Sequence, residues 1–192
     1  MYTVQCKRSV LYVDDLLVVS EKDEHVIRTE IGKYFELKEA SIGLPDIYLG
    51  GKVSKVELAN GVTAYTFSPS QYAKPAVTNV ESYLKSKGCS LPARVSTPMK
   101  SGYRPEIDIS DELDDAEATY YQSLIGVLRW MVELGRIDIT CEVSMMSSHM
   151  ALLQVGHLEQ LFHLFAYLKR SHNTEIVFDP SDMEIRLDGF IE

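Results

Sequence analysis

The residues best suited to chemistry lie in VLYVDDLLVV, residues 10–19, where Asp14 and Asp15 interrupt eight apolar or aromatic side chains. Apolar runs of this kind are normally buried, and a buried ionised carboxylate is costly unless it is paired or holds a metal. Two adjacent carboxylates therefore call for a solvated turn, a metal ion, or both. With strands on either side, the pair would sit at the tip of a hairpin, a rigid mount for a hard divalent cation such as Mg²⁺. Two such ions about 4 Å apart can activate an attacking hydroxyl and stabilise the leaving group of an in-line nucleotidyl transfer. The plainer alternative is an acidic hairpin turn with no chemistry.

The elements around the pair follow from pattern. Residues 10–13 and 16–19 read as β-branched and aromatic strands joined by Asp14-Asp15. Ser20 can cap a helix over 21–37 whose apolar positions Val26, Ile27, Ile31, Tyr34 and Phe35 keep helical spacing. Strand-like IYLGGKVSKVEL and VTAYTFS flank Asn60-Gly61, the strongest hairpin signal in the chain. A helix follows to Gly88, its C-cap, with Pro75 near the first turn or marking a break. Residues 90–117 carry three prolines and read as a connector with little regular structure. Helical patterns cover 118–134, 138–152 and 156–170, and strand-like TEIVFD and MEIRLDGFI close the chain. The expected fold class is α+β, with segments 1–89, 90–117 and 118–192.

At 192 residues, 45% apolar and 24% charged, the chain is an ordinary globular one. Its net charge of −9 argues against a phosphate-binding surface, but the acidity is local. Seven acids and no Lys or Arg lie between Glu106 and Glu117, so that segment accounts for −7 of the −9. The three cysteines are odd in number and widely spaced, which suits reduced thiols and an intracellular setting, cytoplasmic or nuclear. The histidines show no zinc spacing and read as surface or core residues. No run of about 18 apolar residues and no basic-then-apolar start occurs, so neither a membrane span nor a signal peptide is expected.

A second candidate lies in the helix over 118–134. Gln122, Gly126 and Trp130, at i, i+4 and i+8, share one face, while Leu124, Ile125, Leu128 and Met131 would pack inward. An interior glycine costs about 1 kcal/mol relative to alanine, and something must offset it. A smooth face with an amide, bare backbone and a flat aromatic suits the minor groove of a duplex. Close helix packing at Gly126 with Trp130 as core filler is the alternative. Arg129, Lys169 and Arg170 are candidate phosphate contacts or simply solvated charges.

LYVDDLLVVS, followed by a helix and then YLGGKV, resembles the palm of reverse transcriptases, specifically those of Ty1/copia-type retrotransposons. FSPSQYAKPAV, VSTPM, YYQSLIGVLRWMVELGRIDI and HLEQLFHLFAYLKRSHNTEIVF are similar to further blocks of that family, in the same order, over roughly residues 10–180. The resemblance implies a partial palm followed by a helical thumb-like part. It makes Asp14 and Asp15 metal-binding carboxylates for Mg²⁺, and it places Tyr12 beside the primer terminus. Tyr48, Leu49, Gly50 and Gly51 match an element resembling the primer grip, although Gly50-Gly51 could simply mark a bulge. Gln122, Gly126, Arg129 and Trp130 resemble a minor-groove tracking helix, and the implied partner is an RNA–DNA hybrid or primed template.

The chain also departs from that family. Residues 1–13 contain no Asp or Glu, so the first of three metal-binding carboxylates is missing, as are the fingers and an RNase H part. The family's RPDI reads RIDI at Arg136–Ile139. The expectation is a truncated RNA-directed DNA polymerase piece with an incomplete two-metal site that does not polymerise alone. The alternatives are a non-catalytic nucleic-acid binding module, or a self-associating remnant whose apolar palm surface meets another copy or a complementing polypeptide.

Overall fold

The computed structural model describes residues 8–12, 15–19, 23–39 and 42–181. The chain groups into two units, Met1–Leu49 and Gly50–Glu192. Both mix helix with antiparallel strand. The expected strand-like MEIRLDGFI lies outside the described residues.

In the first unit, β1 (Arg8–Tyr12) and β2 (Asp15–Val19) form an antiparallel pair, with Leu11 opposite Leu16 and Tyr12 opposite Asp15. The turn expected at Asp14-Asp15 falls partly outside the described residues. Asp15 stands on the strand rather than in the turn. Val13 and Asp14 themselves lie outside the described residues. A short α1 (Asp23–His25) continues as a π-helix over Val26–Ile31, and a two-residue β3 (Ile47–Tyr48) follows. The helix was expected to reach Leu37 and stops at Ile31 instead. Its last turn has widened, with the Gly32 N–H donating to the Ile27 carbonyl, five residues back. Tyr34 and Phe35, which keep helical spacing in the sequence, lie beyond the helix and are exposed. Among the residues of this unit whose burial is described, Val26 is the one that is buried.

The second unit holds the core. β4 (Gly51–Glu57) and β5 (Thr63–Ser68) pair antiparallel in the register Val53–Phe67 and Lys55–Tyr65, and β6 (Ile176–Phe178) joins the other edge of β5. The hairpin loop is Ala59-Asn60-Gly61. Gly61 takes φ +76°, and its N–H donates to the Leu58 carbonyl, a three-residue variant of the turn that Asn60-Gly61 signals. α2 (Ser70–Ser86) runs unbroken through an exposed Pro75. It ends in a Schellman motif at Gly88 (φ +74°), where Cys89 N–H donates to the Leu84 carbonyl.

α3 (Asp115–Glu133), α4 (Thr140–Ser147) and α5 (Val155–Arg170) complete the layer of helices. The pattern read as a helix over 138–152 is a 3-10 turn, Ile137–Ile139, followed by the shorter α4. One cluster of buried side chains joins α2 (Val77, Val80), α3 (Leu124, Leu128), α4 (Val143, Met146) and α5 (Leu161, Phe165). The helix and hairpin placed by sequence in segment 1–89 therefore share a unit with the helices of 118–192. β6 strengthens that union by returning from the end of α5 to the sheet.

The connector is short of regular structure, as expected, with one 3-10 turn at Pro105–Ile107, yet it is fastened along α5. Gln160 of α5 donates to the Pro98 carbonyl and accepts from Lys100 N–H, at 3.0 and 3.1 Å. His163 bonds the Thr97 carbonyl, and Arg170 donates to the Val95 carbonyl. His157, 2% exposed, accepts the Gln154 N–H at Nδ1, which fixes its other nitrogen as the donor to the Pro105 carbonyl. Much of the acidity is used here too. Asp114 caps α3 by accepting the Glu117 N–H, with Asp115 and Glu117 in the first turn. Asp108 accepts from Ser110 and Tyr103 beside Gly156 in the first turn of α5, where Gly156 N–H donates to Ser110 Oγ. Burial pushes the Asp108 carboxyl up, but those hydrogen bonds outweigh it and hold the group below the usual carboxylate range.

The α3–α4 junction is closed by RIDI. Gly135 takes φ +96°, and Arg136 N–H donates to the Met131 carbonyl, the Schellman end of α3. The Arg136 side chain is 0% exposed. It grips Asp138 through two bonds of 2.8 Å and donates to the carbonyl and hydroxyl of Ser171, while Tyr167 OH donates to Asp138 at 2.9 Å. Burial pushes Asp138 up, but Arg136 and Tyr167 together hold it lowered. Ile137 is 72% exposed and takes no part in this network.

Removing one member of a buried ion pair costs roughly 3–5 kcal/mol. Because Asp138 is partly exposed and keeps Tyr167, Arg136→Met is expected to cost about 3 kcal/mol, near the lower bound, in urea unfolding. Asp108 and Asp138 have lowered folded-state values, so the stability they contribute is present above about pH 4 and is lost as pH falls below that. Acid unfolding of Asp138→Asn should show a shallower pH dependence below about pH 4 than the parent chain.

Candidate functional site

Of the residues with expected catalytic roles, Tyr12 and Asp15 are described, and Asp14 is not. Tyr12 and Asp15 face each other across the ends of β1 and β2, and both are exposed. Exposure removes the desolvation penalty for Asp15. Among the described residues, no group of three or more His, Cys, Asp or Glu side chains is placed to hold a metal ion. A hard cation such as Mg²⁺ takes several oxygen ligands, and Asp15 alone does not supply them. The described donor set thus does not fit a Mg²⁺ site by itself.

The YLGG element has its own structural account. Leu49 and Gly50 both take positive φ, +51° and +86°, a conformation in which glycine carries no steric penalty. Gly51 opens β4, and a Cβ there would lie 2.1 Å from Cζ of Phe67 on β5. The ring of Phe67 thus lies directly over the Gly51 backbone, which is the close approach expected of glycine in a strand. Tyr48 is half-buried, and its hydroxyl is buried without a hydrogen-bond partner among the described residues.

The α3 face is the best-defined candidate. Asp114 starts the helix and Gly135 stops it, fixing its phase. Tyr121, Leu124, Ile125, Leu128 and Met131 are buried, which orients the helix as the spacing requires. Tyr121 also donates from its hydroxyl to the Met146 carbonyl. On the opposite side Gln122, Gly126 and Arg129 are exposed and Trp130 is half-buried. A Cβ built at Gly126 meets nothing within 4 Å. Close packing therefore does not explain the glycine. An open strip of backbone runs between an amide, a guanidinium and an indole.

Sequence reasoning missed Arg136, whose neighbours it weighed only for the absent proline, and it missed the fastening of the connector. An Arg-x-Asp immediately after a helix-ending glycine was the available signal for the first. The second has none, because backbone carbonyls receive the bonds.

No helix among the described residues is long and apolar enough to cross a membrane. No family model matches the chain, and no solved structure matches it. The chain is similar to a curated protein described as "Putative transposon Ty5-1 protein YCL074W" of Saccharomyces cerevisiae (strain ATCC 204508 / S288c), at 29% identity over 161 residues. The alignment covers 82% of this chain and 47% of the relative, so the chain spans about half the length of the curated relative it matches.

The Gly51–Phe67 contact is directly testable. Gly51→Ala should destabilise the chain by about 1–3 kcal/mol through overpacking. Shrinking the ring by Phe67→Leu in the same chain should recover part of that loss in chemical denaturation.

Proposed function

We propose that the chain is a piece of a retroelement protein of the Ty1/copia reverse transcriptase type, and that its present capacity is to bind a primed RNA–DNA hybrid through the exposed face of α3. The observation that carries this reading is Gly126, an interior helix glycine with open space where a side chain would be. Glycine there costs about 1 kcal/mol relative to alanine, and no packing partner offsets it. Gln122, Arg129 and Trp130 beside it supply an amide donor and acceptor, a phosphate-seeking guanidinium and a flat ring. Such a surface follows a duplex groove by shape rather than by base sequence. Similarity to a protein described as a transposon protein supports the same reading.

In this reading residues 1–89, with the 10–19 hairpin and the 47–67 strands, correspond to a partial polymerase palm, 90–117 to a connector and 118–192 to a thumb-like part. Asp14 and Asp15 are two carboxylates of a Mg²⁺ site, Tyr12 lies towards the primer terminus, and Tyr48–Gly51 is the primer-grip-like element. The site also needs a carboxylate that residues 1–13 do not contain, so the 192 residues alone do not extend a primer.

The exposed residues of the first unit favour a second reading, self-association. Leu11, Tyr34, Phe35, Leu44 and Ile47 are all exposed. Apolar side chains such as these are what contact with another chain would cover. Sedimentation at rising concentration should then show growing mass, and a constant monomer mass would dismiss it.

Fluorescence anisotropy with a labelled hybrid tests the first reading. Trp130→Ala should weaken binding about tenfold, or ~1.4 kcal/mol. Gly126→Ala should raise folding stability by up to about 1 kcal/mol while weakening binding. Hybrid binding unaffected by either change would contradict the groove reading, and Mg²⁺-dependent primer extension by the purified chain would contradict its inactivity.

A further inference from the structure

Within the second unit, one described residue other than glycine is held at positive φ, and it is Arg94, at +58°. The left-handed conformation is unfavourable for a residue with a Cβ and persists only where its surroundings impose it. Here they do so from the C-terminal side. Val95 is buried, and its carbonyl accepts a hydrogen bond from Arg170 at the end of α5 at 3.3 Å. The next carbonyl fastened, that of Thr97, bonds His163 about two turns earlier on α5. The backbone bend at Arg94 is thus fixed by anchors on its neighbours and by none on its own side chain. Arg94 is exposed, and its guanidinium makes no hydrogen bond or ion pair among the described residues.

A glycine at this position would remove the backbone strain and leave the anchors intact. The chain instead carries an arginine there, next in sequence to the carbonyl that Arg170 holds. It does so in a protein of net charge −9. Lys169, which precedes Arg170, is taken up in an ion pair with Glu81 of α2 at 2.7 Å and adds little. Asparagine or aspartate would have been the easier residues in this conformation, and neither carries positive charge. Strain retained for a side chain without an intramolecular partner points to a ligand outside the chain. A guanidinium presented in this way suits the planar, two-point recognition of a phosphate.

We infer that Arg94, with Arg170 beside it, is a phosphate-contact point for the backbone of a nucleic-acid duplex, separate in sequence and in element from the exposed face of α3. The inference rests on the hybrid-binding reading and adds a second contact to it. Such contacts hold a duplex in register without reading its sequence, and each releases counterions on binding.

The experiment is anisotropy of the full chain with a labelled 20-base-pair RNA–DNA hybrid between 50 and 300 mM NaCl, run on the parent, Arg94→Gly, Arg170→Ala and Trp130→Ala. Thermal unfolding of each variant accompanies it. Arg94→Gly is expected to raise the melting temperature, because it relieves the bend, while weakening binding by about fivefold. It should also reduce the slope of log affinity against log salt by about one. Arg170→Ala should weaken binding similarly. Arg94→Gly with parental affinity and slope, while Trp130→Ala still weakens binding, would overturn the Arg94 contact alone. Loss of binding in the Arg94 variant with no effect of Trp130→Ala would keep the contact and overturn the α3 reading. A parent chain that binds no hybrid would overturn both.

Discussion

A guanidinium removed from water must have its charge and its donors met by the protein, and Arg136 is 0% exposed. Its requirements determine much of the second unit. Asp138 must fold back within one 3-10 turn to give the bidentate pair, so α3 has to end where Gly135 ends it. Ser171 must lie at the end of α5, and Tyr167 must stand one turn earlier to share the carboxylate. Arg136 therefore fixes the end of α3 against the end of α5. The chain leaving α5 then reaches the sheet as β6, where Ile176 lies 2.7 Å from a Cβ built on Gly135, a position that glycine alone fills without displacement.

A second constraint acts at the other end of α5. The N-terminal turns of α3 and α5 both leave backbone N–H groups without helical partners. Acids and hydroxyls of the connector meet several of them, with Asp114 on α3 and Ser110, itself held by Asp108, on α5. The negative segment 106–117 is thus substantially spent on helix ends inside its own unit. A formal charge of −9 then says little about the character of the remaining surface, and a phosphate partner is compatible with it. The connector also orders α5 along its length through Gln160 and His163, so a stretch poor in regular structure is nevertheless fixed in place.

Legibility in the sequence followed how local each cause was. The helix over Asp115–Glu133, the C-cap at Gly88 and the hairpin around Asn60-Gly61 rest on spacing and on single residues with known preferences, and they were readable. Residues 21–37 misled because Tyr34 and Phe35 keep helical spacing although the helix has ended at Ile31; periodicity reports compatibility, while the widened last turn at Gly32 decided the end. Asp15 was read as a turn residue because Asp is favoured in turns, whereas strand pairing put it on β2 opposite Tyr12. The grouping of α2 with α3 and α5 depends on contacts between distant segments, and no local pattern states it. The α3 face was readable as a face, but the reason for Gly126 needed coordinates, since close packing and open space predict the same residue.

The exposed face of α3 is proposed to meet a nucleic-acid duplex. The most direct measurement is a nuclear magnetic resonance perturbation map of the full chain titrated with a primed RNA–DNA hybrid. Shifts are expected to concentrate at Gln122, Gly126, Arg129 and the Trp130 indole, with the buried face at Leu124 and Leu128 unmoved. Perturbations confined to the first unit, or none at saturating hybrid, would contradict it.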